Sequence, residues 1–352
     1  MKEKRNILIV GAIIGVISVL LVYFGNPANM GFCLACFVRD TAGGLGLHRA
    51  EIVQYVRPEL IGLLLGSCIL AFAKKEFSPR GGSSPFTRFV VAFFVTIGAL
   101  MFLGCPFRMI LRIAGGDLNA IVGLLGFISG IGIGIFFLNK GFTLKRTHKF
   151  DTLEGLALPI SSIALLGILV FIPSLLIFSS EGPGAKHAPI AIALIAGLLV
   201  GALAQRTRFC MVGGIRDFIL FRETTLIIGF ITIIIVALIA NILTGNFNLG
   251  FVGQPVAHTD GLWNFLGMTL LGFGCVLLGG CPLRQFILAG EGNTDSAITI
   301  LGLLIGAAFC HNFKLASSPD GPTLNGKVAV MLGFVVLFVI SFANSRKQAT
   351  DN

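Results

Sequence analysis

The chain has 352 residues, of which 55% are apolar and only 12% are charged, and its mean hydropathy is +0.93. Such a small number of charged side chains cannot cover the surface of a soluble domain. The composition therefore excludes a soluble protein and indicates a membrane protein. The net charge of +10 does not indicate nucleic-acid binding, because no module of interleaved aromatic and basic residues accompanies it.

Apolar stretches of roughly 20 residues, the length of a spanning helix, recur along the whole chain. The first follows Lys2, Lys4 and Arg5, and we expect it to be retained rather than removed as a signal peptide. The predicted spans, in chain order, are 6–24, 57–73, 87–104, 118–138, 153–178, 189–204, 224–243, 262–280, 297–313 and 327–342.

Lysine and arginine side chains concentrate in alternate connections, chiefly within residues 74–88 and 140–149. Positive connections are retained in the cytoplasm during insertion. The pattern therefore predicts a multi-pass protein of the bacterial inner membrane with both termini cytoplasmic.

Two polar motifs occur twice, in the same order and at the same offset to within one residue. Phe32-Cys33-x5-Arg39-Asp40 recurs as Phe209-Cys210-x5-Arg216-Asp217, and Gly104-Cys105-Pro106-x-Arg108 recurs as Gly280-Cys281-Pro282-x-Arg284. An odd number of predicted spans separates the copies, so the two halves should be inverted. We predict an all-α polytopic membrane protein with two inverted repeats and re-entrant half-helices.

The repeat also predicts a domain organisation. Residues 1–150 form the first membrane repeat and 188–320 the second. Residues 151–187 form a linker helix between them, and 321–352 form a final helix with a cytoplasmic tail.

The Gly-Cys-Pro motifs lie where a half-helix would begin. Proline suits the first helical position, which places Cys105 and Cys281 at the N-cap. A helix start presents unpaired N–H groups and a positive dipole end, so it favours an anion and stabilises a thiolate. Gly104 and Gly280 allow a substrate to approach closely.

Arg108 and Arg284 follow three residues after these cysteines and are too costly to face lipid. We expect each to point into the protein, either at a substrate anion or at a carboxylate such as Asp117 or Glu291.

Cys33 and Cys210 should occupy the second pair of re-entrant segments. Together with Cys105 and Cys281 they form a soft, polarisable lining that suits a sulfur or selenium anion better than chloride or phosphate. The remaining unpaired cysteines, Cys68, Cys275 and Cys310, are interpreted as small buried hydrophobes.

Other features have two interpretations. Arg39-Asp40 and Arg216-Asp217 are either charge pairs that close the re-entrant loops or supports of the site. Cys33-x2-Cys36 has the spacing of a redox or metal pair, but no second pair or histidine pattern completes a zinc site. The five histidines are assigned no chemistry. We predict no catalytic residue, no metal and no cofactor.

The quoted motifs resemble those of the YeeE/YedE sulfur-transport family over nearly the whole chain. The matching segments are Asn29-Met30-Gly31-Phe32-Cys33-x2-Cys36, Gly104-Cys105-Pro106, Arg208-Phe209-Cys210 and Gly280-Cys281-Pro282. The resemblance is closest to the YedE-type branch associated with selenium metabolism. It implies an hourglass-shaped protein with short inward loops and a relay through Cys33, Cys105 and Cys281, to which the internal repeat adds Cys210.

These arguments predict an uptake transporter, not an enzyme, for a small selenium- or sulfur-containing anion, linked to selenium metabolism. Thiosulfate uptake is the alternative within the same class. A membrane thiol–disulfide oxidoreductase using Cys33 and Cys36, and a structural subunit, are alternatives from other classes. The expected partners are the anion, the lipid bilayer and a separate cytoplasmic sulfur or selenium carrier protein.

Overall fold

The computed structural model describes residues 2–345, and helices make up nearly all of its regular structure. In chain order they are α1 (Lys2–Tyr23), α2 (Leu34–Gly44), α3 (Pro58–Ala73), α4 (Pro85–Phe102), α5 (Pro106–Ala114), α6 (Asn119–Asn139), α7 (Thr152–Phe171), α8 (Gly182–Ala185), α9 (Ile190–Thr207), α10 (Met211–Phe221), α11 (Thr225–Leu243), α12 (Gly261–Leu277), α13 (Pro282–Gly290), α14 (Thr294–Asn312) and α15 (Leu324–Ser345). Strands β1 (Arg80–Gly81) and β2 (His148–Lys149) form a short antiparallel pair.

Ten of the helices within residues 2–345 are long and apolar enough to cross a bilayer, so the predicted all-α polytopic class is confirmed. They are α1, α3, α4, α6, α7, α9, α11, α12, α14 and α15, and three of them, α4, α9 and α12, lead directly into a half-helix. The tail predicted at residues 346–352 lies outside the described residues. The domain boundaries stay a prediction.

The fifth predicted span, 153–178, is too long. Helix α7 ends at Phe171, and a 3₁₀ turn over Pro173–Leu175 follows it. Proline has no N–H to donate and disfavours helical geometry in the residue before it. The rest of the apolar run therefore belongs to the connection.

The half-helices α2, α5, α10 and α13 lie where the repeated motifs predicted them. All residues of α2 are buried, whereas α7 is mostly exposed on the outside of the bundle. Helices α5 and α13 are also mostly buried, whereas α10 buries only its first turn. Three of the half-helices therefore lie at the centre of the protein.

One face of the bundle carries the β1–β2 pair, and we call it the hairpin face. Helix α13 leads to this face, because the Ser78 N–H donates to the Glu291 carbonyl at 2.9 Å. Helix α10 leads there too. Thr224 follows its end, and its Oγ1 lies 3.2 Å from Nζ of Lys4, at the start of α1 and at the predicted cytoplasmic end of that helix. The basic residues 74–88 and 140–149 lie here, so this is the predicted cytoplasmic face.

Helices α2 and α5 lead to the opposite face. The Gly44 carbonyl accepts from the Ile177 N–H at 2.9 Å, and the Gly115 carbonyl accepts from the Asn248 N–H at 2.9 Å. The two pairs of half-helices thus enter from opposite faces, which is the arrangement that an inverted repeat requires.

Glycines set the close approach of α6 and α12. A Cβ at Gly130 would overlap the Thr269 carbonyl, whereas a Cβ at Gly132, on the same helix, would have no neighbour within 4 Å. We expect Gly130→Val to lower the melting temperature of the purified protein, because overpacking costs about 1–3 kcal/mol. Gly132→Val is the matched control with the same change in helix propensity. Equal melting temperatures for the two variants would contradict this account of the helix contact.

Candidate functional site

Cys33 and Cys210 cap half-helices in the same way. Each is the N-cap residue, of α2 and α10 respectively, with an extended backbone. The sulfur of Cys33 accepts from the Cys36 N–H at 3.3 Å, and that of Cys210 accepts from the Gly213 N–H at 3.3 Å. Both sulfurs therefore face the positive end of a helix, where a thiolate or an anion is stabilised.

Cys105 and Cys281 are the N-cap residues of α5 and α13, and proline follows each at the first helical position. Their side chains do not cap the helix. The chain turns sharply before both, through Leu103 (φ 61°) in the first half and Gly279 (φ 79°) in the second. Left-handed geometry costs a leucine more than a glycine, so the first turn needs support from its surroundings.

The repeated cysteines form two groups, one in each half. In the first group Cys33 Sγ lies 2.6 Å from Cys36 Sγ, and the side chain of Cys105 lies close to that of Cys33. In the second group Cys210 Sγ lies 4.0 Å from Cys281 Sγ. The predicted site thus contains two thiol groups, at the inner ends of half-helices that enter from opposite faces.

A small apolar cavity lies next to residues of both groups. Leu34 and Ala35 of α2, which follow Cys33, line it, and so does Pro282 of α13, which follows Cys281. Its free volume is about 10 Å³, which is at the lower limit for one water molecule. The cavity is therefore too small to hold an anion.

Arg108 is fully buried and donates hydrogen bonds to carbonyl groups. Nε donates to Asn29 O at 3.2 Å, Nη1 to Leu103 O, and Nη2 to Pro255 O at 3.1 Å. These bonds support the strained turn at Leu103. They also join three separate segments around the start of α5.

Arg284, the counterpart of Arg108, behaves differently. Its Nη1 lies 3.2 Å from Glu291 Oε1, which is one of the two partners that the sequence suggested. Asp117, the other suggested carboxylate, pairs with Arg112 at 2.6 Å instead. Carbonyls satisfy the hydrogen bonds of Arg108 but leave its charge in place. The first thiol group therefore has a cation beside it that no carboxylate within residues 2–345 neutralises.

Both predicted Arg-Asp pairs form. Arg39 Nη2 lies 2.7 Å from Asp40 Oδ1, and Arg216 Nη2 lies 2.8 Å from Asp217 Oδ1. In the first half Arg57 adds a second bond, 2.6 Å from Asp40 Oδ2. The sequence analysis did not identify Arg57 as a partner of Asp40. Its charge at the edge of a predicted span could have indicated a buried ion pair.

The two aspartates therefore differ in their expected effects on stability. Asp40 is completely buried between two arginines, whereas Asp217 is 28% exposed. We expect Asp40→Asn to destabilise the protein by about 3–5 kcal/mol, because it leaves buried cations unpaired. Asp217→Asn should cost at most about 1 kcal/mol. Thermal unfolding of both purified variants tests this, and equal losses would contradict the burial argument.

His258, in the connection before α12, has a structural role. Its Nε2 lies 2.8 Å from Met101 O, and its Nδ1 accepts from the Asp260 N–H at 3.3 Å. Burial lowers the pKa of His258, which favours the neutral ring that this bonding pattern needs. It anchors the connection to the end of α4.

The fold and the two thiol groups together define a polytopic helical membrane protein with paired half-helices, the construction typical of secondary transporters. Residues 206–344 match the protein family described as "Sulphur transport". This segment contains Cys210 and Cys281. The resemblance to the YeeE/YedE sulfur-transport family is thereby confirmed.

Similarity to one known transporter supports the same family. The chain is 29% identical to the protein named "Thiosulfate transporter TsuA" of Escherichia coli (strain K12) over 115 residues. The match spans 33% of this chain and 32% of the relative, about a third of each.

Proposed function

We propose that this protein is an inner-membrane uptake transporter for a small selenium- or sulfur-containing anion, which passes from one thiol group to the other. The observation that carries the proposal is the pair of thiol groups, each at the start of half-helices that enter from opposite faces. The family match supports sulfur as the substrate element.

The first group, Cys33 with Cys105, has the features of a receiving site. Helix starts offer N–H groups to the oxygens of the anion, and thiols can contact its soft terminal atom. The charge of Arg108 attracts the anion as a whole. Cys210 and Cys281 offer the same thiol and helix-start chemistry on the other side, next to Arg284, whose charge Glu291 neutralises.

Transfer between the groups requires a wider passage, and the small cavity at Leu34 and Pro282 is where one could open. These residues belong to half-helices from different halves of the protein. A relative shift of the two halves would therefore open the connection, as expected for alternating access in inverted repeats.

Selenium remains part of the proposal because of the resemblance to the YedE-type branch, whereas the similarity to a thiosulfate transporter favours thiosulfate. Each of these anions contains a polarisable sulfur or selenium atom, so thiol contacts suit either element. A separate cytoplasmic carrier at the hairpin face would receive the product, and the basic residues there suit an acidic partner.

The direct test is uptake by vesicles that contain the purified protein. We expect labelled thiosulfate to accumulate and to be competed by selenite or another selenium anion, with the stronger competitor identifying the preferred substrate. Sulfate and chloride are the controls and should compete poorly. Vesicles that move no sulfur or selenium anion would overturn the proposal.

A thiol–disulfide oxidoreductase is the second candidate, since Cys33 and Cys36 lie close together at a helix start. Such an enzyme needs an electron acceptor such as a quinone, which would take two electrons and two protons as the dithiol becomes a disulfide. Stable quinone reduction that requires both cysteines would support this candidate over transport.

A further inference from the structure

Glu59 is a completely buried carboxylic acid in the first turn of α3. Its Oε1 accepts a hydrogen bond from Asn26 Nδ2 at 2.8 Å. Its Oε2 is also buried and has no hydrogen-bond partner among residues 2–345. A buried carboxylate oxygen without a partner is costly, and that cost falls when the group carries a proton.

Asn26 also links Glu59 to a cluster of charges from two elements, since Arg57 Nη1 lies 3.5 Å from Asn26 Oδ1. Arg57 precedes α3, and Arg39 and Asp40 belong to α2, where Asp40 bonds both arginines. With Glu59 ionised, these two cations and two anions balance. With Glu59 protonated, the cluster carries one positive charge more than it has negative charges.

Three further segments approach this cluster. Tyr55 lies between α2 and α3, its buried hydroxyl has no partner among the described residues, and His187 stacks on its ring at 4.0 Å. Lys186 offers its carbonyl to Arg57. Helix α9 approaches through Gly197, which packs against the Glu59 carbonyl.

Asn26 connects Glu59 to the first thiol group. Its Nδ2 lies 2.8 Å from Glu59 Oε1 and 3.5 Å from Gly31 O, two residues before Cys33. Its Oδ1 accepts from the Ala188 N–H at 2.9 Å. A change in the protonation of Glu59 therefore acts on the same amide that holds the turn before Cys33.

We infer that Glu59 is a proton-binding site that couples uptake of the anion to uptake of a proton. This inference rests on the proposed transport function. A proton on Glu59 makes the cluster cationic and so favours an anion at the neighbouring thiol group, and by linkage the anion favours the proton. Glu59 lies towards the face opposite the hairpin, so it takes the proton from the same side as the anion.

Vesicles containing the full-length protein test the coupling with labelled thiosulfate. We expect an acidic exterior to stimulate uptake by the wild type, and a protonophore to remove that stimulation. Glu59→Gln should lose the stimulation but keep exchange of labelled for unlabelled thiosulfate at equal pH. Glu51→Gln is the matched control, because Glu51 is exposed near the same face, and it should respond to the gradient as the wild type does.

The outcomes separate the two proposals. Exchange without any response of the wild type to the gradient overturns the coupling and leaves transport intact. Stimulation that persists in Glu59→Gln overturns the role of Glu59. Absence of both exchange and uptake contradicts the proposed function itself.

A second measurement needs no transport. Infrared difference spectra between alkaline and acidic pH should show, in the wild type and in Glu51→Gln, a carboxylic acid band that is separate from the bands of the exposed carboxyl groups. The band should be lost in Glu59→Gln and shifted in Glu59→Asp, which keeps the acid if the glutamine variant fails to fold. An unchanged band in both Glu59 variants overturns proton binding at this residue.

Discussion

Replacement of Cys105 or Cys281 by serine is expected to reduce uptake of labelled thiosulfate to the level of empty vesicles. Serine keeps the size of the side chain and one hydrogen bond, but its oxygen is much less polarisable than sulfur. Each of these thiols lies beside the other cysteine of its group, on the path that we propose for the anion. A relay with one such thiol missing is interrupted.

Cys68 and Cys310 provide the controls for this experiment. Both are buried, but they lie on α3 and α14, outside the two thiol groups. Serine at either position should leave uptake near the wild-type rate, apart from a modest loss of stability. Normal uptake by both Cys105→Ser and Cys281→Ser would eliminate the relay.

Cys33→Ser and Cys210→Ser distinguish lost chemistry from lost structure. Serine is among the best N-cap residues, so the helix starts should remain intact and thermal stability should not fall. Uptake should nevertheless decline. A parallel loss of stability and uptake would instead assign these two cysteines a structural role.

The helices and the repeated motifs were predictable because both are encoded locally. A run of apolar residues is sufficient to define a span, and Gly-Cys-Pro is sufficient to define a helix start. The end of α7 was misjudged because apolar residues also continue past Pro173, where the backbone can no longer form a helix.

The partners of the charged residues were less predictable, since they depend on distant segments. Pro255 accepts a hydrogen bond from Arg108 although more than a hundred residues separate them. The pairing of Arg57 with Asp40 likewise depends on how α2 docks against the start of α3. The repeated cysteines group within each half, Cys33 with Cys105 and Cys210 with Cys281. The cysteines of the two Gly-Cys-Pro motifs therefore belong to different groups.

The two halves share a backbone plan but differ in charge. Asp40 bonds two buried arginines, whereas Asp217 bonds one that is partly exposed. Among the described residues, the partners of Arg108 are carbonyl groups, whereas Arg284 has a carboxylate. The thiol group of α2 and α5, which lead away from the hairpin face, therefore has the more cationic surroundings, and this suits capture of an anion from that side.

Arg108→Gln is therefore expected to weaken anion binding strongly. A unit charge one or two helical turns away contributes about 2 kcal/mol at the effective dielectric constant near a protein surface, which corresponds to roughly a thirtyfold rise in Kd. Arg108→Lys should bind more tightly than the glutamine variant, because it keeps the charge although it loses carbonyl bonds. Equilibrium binding of labelled thiosulfate to purified protein measures both.

Two comparisons separate charge from folding in this experiment. Joint replacement of Arg284 and Glu291 by glutamine changes no net charge and should raise Kd much less. Arg206→Gln removes an exposed cation near the hairpin face and serves as the control for overall charge, since salt screens such groups. If Arg108→Gln binds thiosulfate as tightly as Arg206→Gln while both remain folded, Arg108 only holds the turn at Leu103, and the capture site owes its affinity to the helix starts alone.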